Sequence, residues 1–418
     1  MCGHEGDGPG GKTGVPALYE PDSALPGGPA ARVEPVRLRR RSVRESTGHR
    51  PFWPVAVLSA YDAIGYGLVG PVLPALRARA DATSLEASIV FAGFAVGMLV
   101  GFVLAGVAIR RSGSMPAALA GVSLHVAGDL LFIFGHSPGI YLAARLAQGL
   151  GSGALWMAST FCVLSWWPER PGPKLGLMLT SYAVGSVMGP LLAALGGTVL
   201  PFAGDAVLAS AGFVAAANMP LRHGRTFDWG IGVLRDRRLA FGSLVALLEA
   251  LLFASLEGSY TLRFADRLSQ QLLSLLIALT TLTFGLGAAL PAAGAGGIRG
   301  RRASQSALVV CALAVLVLGG SSIPVLWFGS AIVMGLALGV TETGAVSMVA
   351  ATPEESMLTA MTAASQAFAL GYLVGAPLAT WLTETAGHAW SGVVLAGLAL
   401  ATACLAYAVP VARQGRTT

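Results

Sequence analysis

Charge is what this sequence has least of. Only 11% of its 418 residues are Asp, Glu, Lys or Arg, against roughly 25% in an ordinary soluble domain. A globule so poor in charge cannot cover its own surface with polar groups, which excludes a large soluble protein. Cysteine is scarce as well. Cys2, Cys162, Cys311 and Cys404 stand far apart and match no metal-ligand spacing; the last three read as small membrane-buried hydrophobes. Cys2 follows Met1 with no apolar segment before it, which does not fit a lipoprotein. Phosphate-cradling loops, nucleophile elbows and metal clusters are missing. The Gly-rich strings sit inside apolar runs and follow no strand, so they hold no nucleotide. These absences argue against an enzyme, against a cofactor and against a nucleic-acid partner.

Hydrophobic residues, by contrast, make up 54% of the chain, and 55 residues are glycine. Glycine weakens soluble helices but lets membrane helices approach closely. Residues 1–50 are rich in Gly, Pro and charge without apolar period, the composition of a disordered tail, and carry no signal-peptide pattern. Twelve apolar runs follow, at about 53–76, 87–109, 115–135, 139–166, 175–197, 199–220, 239–262, 270–291, 304–320, 324–350, 358–382 and 389–411. The ninth is the shortest. A helix needs about 20 apolar residues to cross a bilayer. The expected fold is therefore an all-α membrane protein of about twelve spans. Its parts are a tail at 1–50, a six-helix bundle at 51–220, a linker at 221–238, a second bundle at 239–411 and a tail at 412–418.

The basic residues are unevenly placed. The N-terminal tail, the even-numbered loops and the C-terminal tail hold 22 of the 27 Lys and Arg. The opposite side holds four, Arg77, Arg79, Arg263 and Arg267. Cytoplasmic loops carry the positive excess. Both termini are thus expected in the cytoplasm and the protein in the inner or plasma membrane, as a monomer among lipid.

The two halves match at an offset of 186 residues: Gly149 and Gly153 pair with Gly335 and Gly339, and Gly185 and Gly189 with Gly371 and Gly375. Six spans duplicated to twelve is an architecture of transporters that rock two halves about a central site.

Four local strings then resemble the major facilitator superfamily, in particular its twelve-span drug:proton antiporters. The first run, AYDAIGYGLVGPVLPAL, has Asp62, Gly65 and Pro71-Val72-Leu73-Pro74 where that family has its first-helix pattern. The fourth, YLAARLAQGLGSGALW, places Arg145, Gln148 and Gly149 on the fourth-helix motif. The fifth, GSVMGPLLAALGG, carries Gly185, Gly189 and Pro190 of the antiporter motif. The loop GVAIRRSGSM keeps Gly106, Arg111 and Gly113, but Arg110 replaces the usual Asp of the gate latch. The resemblance implies the major facilitator fold, two six-helix pseudo-repeats, and export rather than uptake.

Residue chemistry supplies the candidate site. A carboxylate deep in a span costs roughly 2.5–3.5 kcal/mol on insertion scales, so each needs a partner, a proton or a wet cavity. Asp62, Glu249, Glu342 and Asp205, with Arg145, are the candidates for coupling. Asp62 and Glu249 lie at like depth, one residue apart by the repeat. Asp129 and Glu257 sit toward the outer ends of their runs and read as interfacial, and His125 as a hydrogen-bonded helix residue rather than a relay. Arg145 either meets a buried acid or snorkels to the surface. Trp156, Tyr182, Phe253, Phe368 and Tyr372 are candidates for an apolar cavity wall. The leading reading is a proton-coupled exporter of small amphipathic or cationic compounds by alternating access. A proton symporter for uptake of a metabolite is the alternative, and a membrane sensor or scaffold the third.

Overall fold

A computed structural model of the chain describes residues 51–167, 171–219, 237–290, 298–350 and 354–408. The tails placed at 1–50 and 412–418 and most of the linker at 221–238 lie outside the described residues. Twelve helices and no strand form among the described residues. They are α1 (Trp53–Arg79), α2 (Ser84–Ser112), α3 (Ser114–Phe134), α4 (Pro138–Trp166), α5 (Pro171–Ala193), α6 (Leu200–Ala217), α7, α8 (Gln270–Ala289), α9 (Ile298–Gly320), α10 (Pro324–Ala350), α11 (Glu354–Ala386) and α12 (His388–Ala408). Helix α7 runs over Arg237–Ser255, widens into a π turn at Leu256–Tyr260 and finishes at Thr261–Phe264.

Every apolar run became one helix, and the short ninth extends to Ile298–Gly320, more than a turn longer at its start. Local chemistry sets several ends. Thr83 and Glu86 form a reciprocal capping box at the start of α2. Ser137 caps α4, with Pro138 in the first turn. Gly113, at φ 91°, breaks α2 from α3, a left-handed backbone for which glycine is the natural residue.

Ten of these helices are long and apolar enough to cross a membrane; α4 and α11 are not among them. Large apolar side chains face outward all around the bundle, Val207 at 70% and Leu313 at 60% exposure among them. A water-soluble monomer rarely tolerates so much apolar exterior; hydrocarbon requires it.

The repeat is physical. Methyl groups on Gly149 and Gly153 of α4 would run into the α2 backbone at Phe94 and Met98, while Gly335 and Gly339 of α10 abut the α8 backbone at Thr280 and Phe284. Gly185 and Gly189 of α5 lie on the carbonyls of Ala60 and Ile64 in α1, as Gly371 and Gly375 of α11 lie on those of Leu247 and Leu251 in α7. Asp62 follows Ala60 by two residues and Glu249 follows Leu247 by two, so the two acids are true counterparts. The one-residue mismatch in the sequence alignment disappears in space. Gly106 behaves differently from the expectation for a packing motif: a methyl there would touch nothing.

The halves meet along α2 with α11 and α5 with α8. We call the face where α1 begins and α12 ends the near face, and the opposite one the far face. Hydrogen bonds tie the halves at the far face. Ser88 Oγ donates to the Gly258 carbonyl at 3.2 Å and lies 2.5 Å from Thr380 Oγ1. Gln270 Nε2 donates to the carbonyls of Ala193 and Gly197, and its Oε1 accepts from the Gly197 amide.

Candidate functional site

The buried charge lies mostly in the first half. Arg145 projects from α4 about two turns from its far end and is fully buried, so the snorkelling alternative fails. Its Nη1 donates to Gln148 Oε1 at 3.0 Å, and Gln148 Nε2 donates to Asp129 Oδ1 at 2.9 Å. The guanidinium lies over the Phe94 ring, 4.5 Å from its centroid, with Phe91 at 5.4 Å. Asp129 is 0% exposed and its carboxyl faces that of Asp205 from α6. The interfacial reading of Asp129 is therefore wrong. Its helix leans its far end onto α4 and α6, which cover it.

His125 sits one turn before Asp129 on the same face of α3. It makes no hydrogen bond among the described residues, contrary to its sequence reading. Its Nε2 lies 3.3 Å from Asp62 Oδ1, and Tyr61 packs against the ring at 5.5 Å. The structure thus brings Asp62, Asp205 and Arg145 into one neighbourhood through His125, Asp129 and Gln148, none of which was singled out as a coupling group. The i, i+4 spacing of His125 and Asp129 was the available signal.

Glu249 and Glu342 stand apart, in the second half. Glu249 on α7 is buried and its carboxyl meets that of Glu342 on α10. Cys311 of α9 lies beside them.

Glu257 bridges the halves. It is 2% exposed, so its interfacial reading also fails: it rides on the π turn of α7 into the seam between the bundles. Gly70 of α1 makes the room, since a methyl there would stand 3.2 Å from the Glu257 Cβ. Tyr372 of α11 donates its hydroxyl to Glu257 Oε2 at 3.2 Å. The Tyr372 ring packs on Tyr66 at 5.1 Å and on Phe91 at 5.0 Å, the second of which also faces Arg145. Glu257 and Arg145 are within electrostatic reach of each other.

The aromatic candidates divide. Tyr372 is wholly buried in that seam. Phe368 stacks one turn away from it. Tyr182 links Tyr66 to Trp156, both partly or fully buried around the near half of the seam. Phe253 packs on Phe284 within the second half and joins none of them. Among the described residues no group of His, Cys, Asp and Glu is arranged to hold a metal ion.

Residues 55–226 match the sequence profile of the Major Facilitator Superfamily. Over 97 residues the chain is 31% identical to the multidrug resistance protein MdtL of Escherichia coli O45:K1 (strain S88 / ExPEC), and equally so to that of Escherichia coli O81 (strain ED1a). That stretch is 23% of this chain and 24% of each relative, so the chain matches about a quarter of their length. Among solved structures the fold is similar to the human organic anion transporter MFSD10 (TETRAN), with a TM-score of 0.67 and 16% identity over 86% of this chain and 100% of that one. It is also similar to a single-residue variant of the nucleoside transporter NupG, with a TM-score of 0.66 and 14% identity over 86% of this chain and 99% of that one. A POT family transporter in complex with 5-aminolevulinic acid superposes with a TM-score of 0.70 and 11% identity over 85% and 95%. At such identities the likeness is one of fold.

Proposed function

We propose that this chain is a member of the Major Facilitator Superfamily that exports small amphipathic or cationic compounds in exchange for protons. The chain is a multi-pass membrane protein with the major facilitator fold; transport, its direction, its cargo and its coupling ion are proposed. One observation carries it. Among the described residues five carboxyl groups, those of Asp62, Asp129, Asp205, Glu249 and Glu257, are buried against a single guanidinium, that of Arg145. Bare carboxylates in an apolar surround are too costly to persist. The interior therefore needs protons or cationic cargo to approach neutrality, and exchanging one for the other is antiport. Two carboxyl pairs, Asp129 with Asp205 and Glu249 with Glu342, are natural places for a shared proton, because adjacent like charges repel. The aromatic rings of Tyr66, Tyr182, Trp156 and Phe368 give an amphipathic cation a surface on which cation–π attraction operates. The partial match to MdtL supports export.

The excess of Lys and Arg on one side supports a cytoplasmic near face. The far-face bonds of Ser88 and Gln270 then close the outward path, and outward opening requires them to break. The chain works as a monomer in this reading.

Arg145 favours a second reading, symport of an anionic or zwitterionic metabolite. One assay separates them. Purified protein in proteoliposomes, with pyranine inside and ethidium as the cation, is given a pH gradient. Antiport moves ethidium against the proton flow. Proton influx that accompanies cargo in the same direction supports symport, and ethidium flux indifferent to the gradient overturns proton coupling.

A further inference from the structure

We propose that His125 is a proton-relay residue, passing protons between Asp62 on α1 and Asp205 on α6 inside the first bundle. The inference rests on the proton-coupled reading above and adds a route to it. Two glycines seat the ring. A methyl at Gly65 of α1 would stand 2.8 Å from His125 Nδ1 and 3.2 Å from Asp205 Oδ2, so both atoms border one methyl-sized space. Gly151 of α4 admits the other edge of the ring, where a methyl would meet Cδ2 at 2.7 Å. Nε2 lies 3.3 Å from Asp62, while Nδ1 is on the edge of the ring that Asp205 also borders, without reaching ion-pair contact with it. His125 and both oxygens of Asp205 are buried and find no hydrogen-bond partner among the described residues. A buried polar ring set between two acids without a well-aligned hydrogen bond is costly as packing and well placed for transfer.

The transfer balances. When the Asp205 carboxyl turns across that methyl-sized space to meet Nδ1, its proton passes to the neutral ring while the proton on Nε2 passes to Asp62 Oδ1. Asp205 is left as carboxylate, Asp62 as carboxylic acid, and the imidazole neutral in its other tautomer; the reverse transfer restores it. The charged and titratable groups around the ring are Asp62 and Tyr61 from α1, Asp129 from α3 itself, Asp205 from α6, and Arg145 acting through Gln148 from α4. Asp129, whose carboxyl faces Asp205, is tied by hydrogen bonds through Gln148 to Arg145 at the seam between halves.

The second bundle shows what the first has gained. At the repeat offset of 186, His125, Asp129, Arg145, Gln148 and Asp205 correspond to Cys311, Val315, Ala331, Met334 and Ser391. The acid on the first helix of each half is retained, as Asp62 and Glu249, while the groups that would carry its proton onward exist only around Asp62.

The test does not depend on cargo. Protein labelled with 13C and 15N at histidine is placed in nanodiscs, the His125 signal is identified by its loss in H125N, and the ring is titrated by NMR. The relay requires that the signal titrate, and that D62N and D205N each move its midpoint by about half a pH unit or more. Gly65→Ala, which leaves every titrating group in place, should move it too by displacing the ring. A signal unchanged from about pH 5 to about pH 8, or one that responds to D62N but to neither D205N nor Gly65→Ala, overturns the relay. In ethidium proteoliposomes, H125Q should lose about tenfold of the pH-driven accumulation while exchange without a gradient persists. If the wild type pumps and H125Q pumps with the same pH profile, the relay falls while proton coupling stands. If the wild type ignores the gradient, the coupling reading falls and the titration still decides whether His125 links the two acids.

Discussion

At the scale of single residues, the same position in the repeat has acquired two chemistries. Asp62 and Glu249 occupy equivalent turns of α1 and α7, yet Asp62 faces an imidazole and Glu249 faces the carboxyl of Glu342. A carboxyl beside a base can pass its proton on; one beside another carboxyl can only share it. Asp62→Asn should therefore abolish accumulation driven by a pH gradient and leave some binding of cargo, while Glu249→Gln should alter which cations are accepted more than it alters coupling. Flux of several lipophilic cations in proteoliposomes checks both, and wild-type pH dependence in the two variants and their double would rule out this pair. Arg145 gives the second prediction. Its planar head lies on Phe94 while donating to Gln148, a geometry a lysine ammonium cannot reproduce. Arg145→Lys should insert and fold but transport at least about tenfold more slowly, a loss of about 1.4 kcal/mol or more. Normal flux in that variant would reduce Arg145 to a packing role.

At the scale of helices, glycine fixes which elements touch. Gly149 on α4 and Gly335 on α10 each lie directly on a neighbouring backbone, and a backbone cannot swing aside as a side chain does. Overfilling a packed core costs about 1–3 kcal/mol, so Gly149→Leu and Gly335→Leu should each lower the melting temperature in detergent, by similar amounts because the contacts are equivalent. Gly106→Ala is the control: its methyl meets nothing, and stability should be unchanged. Equal melting of all three would remove the packing argument. The π turn at Leu256–Tyr260 acts differently, because the extra residue turns Glu257 into the seam while Gly258 presents its carbonyl to Ser88. Such turns are rare and are found disproportionately at functional sites.

At the scale of the whole molecule, the two bundles are pinned together at the far face. Ser88 and Thr380 approach from α2 and α11 with their oxygens 2.5 Å apart, close enough that paired cysteines should form a disulfide. S88C with T380C, oxidised in proteoliposomes, should stop flux, and reduction should restore it; undiminished flux in the cross-linked protein would mean that this face need not open. Orientation is tested by impermeant thiol labelling in intact cells. Cysteines placed near Arg79 and Arg267 should react from outside, and labelling of one near Arg225 instead would invert the topology.

Much of this molecule is written in local composition. Low charge, apolar runs of spanning length and glycines at a constant offset sufficed for the helices, the duplication and the family resemblance, because hydrocarbon leaves a chain few ways to satisfy its backbone. Asp62, Arg145 and Asp205 were legible as costly residues, since a charge inside an apolar run is conspicuous one residue at a time. Their partners were not. Whether Asp129 and Glu257 meet lipid headgroups or the interior depends on how α3 and α7 rotate and lean against neighbours far away in sequence. That is a property of packing between helices, which no single helix encodes. The pairing of His125 with Asp62, the meeting of Glu249 with Glu342 beside Cys311, and the seam where Tyr372 holds Glu257 near Arg145 were settled by tertiary structure alone, because each depends on the angle and depth at which separate helices cross.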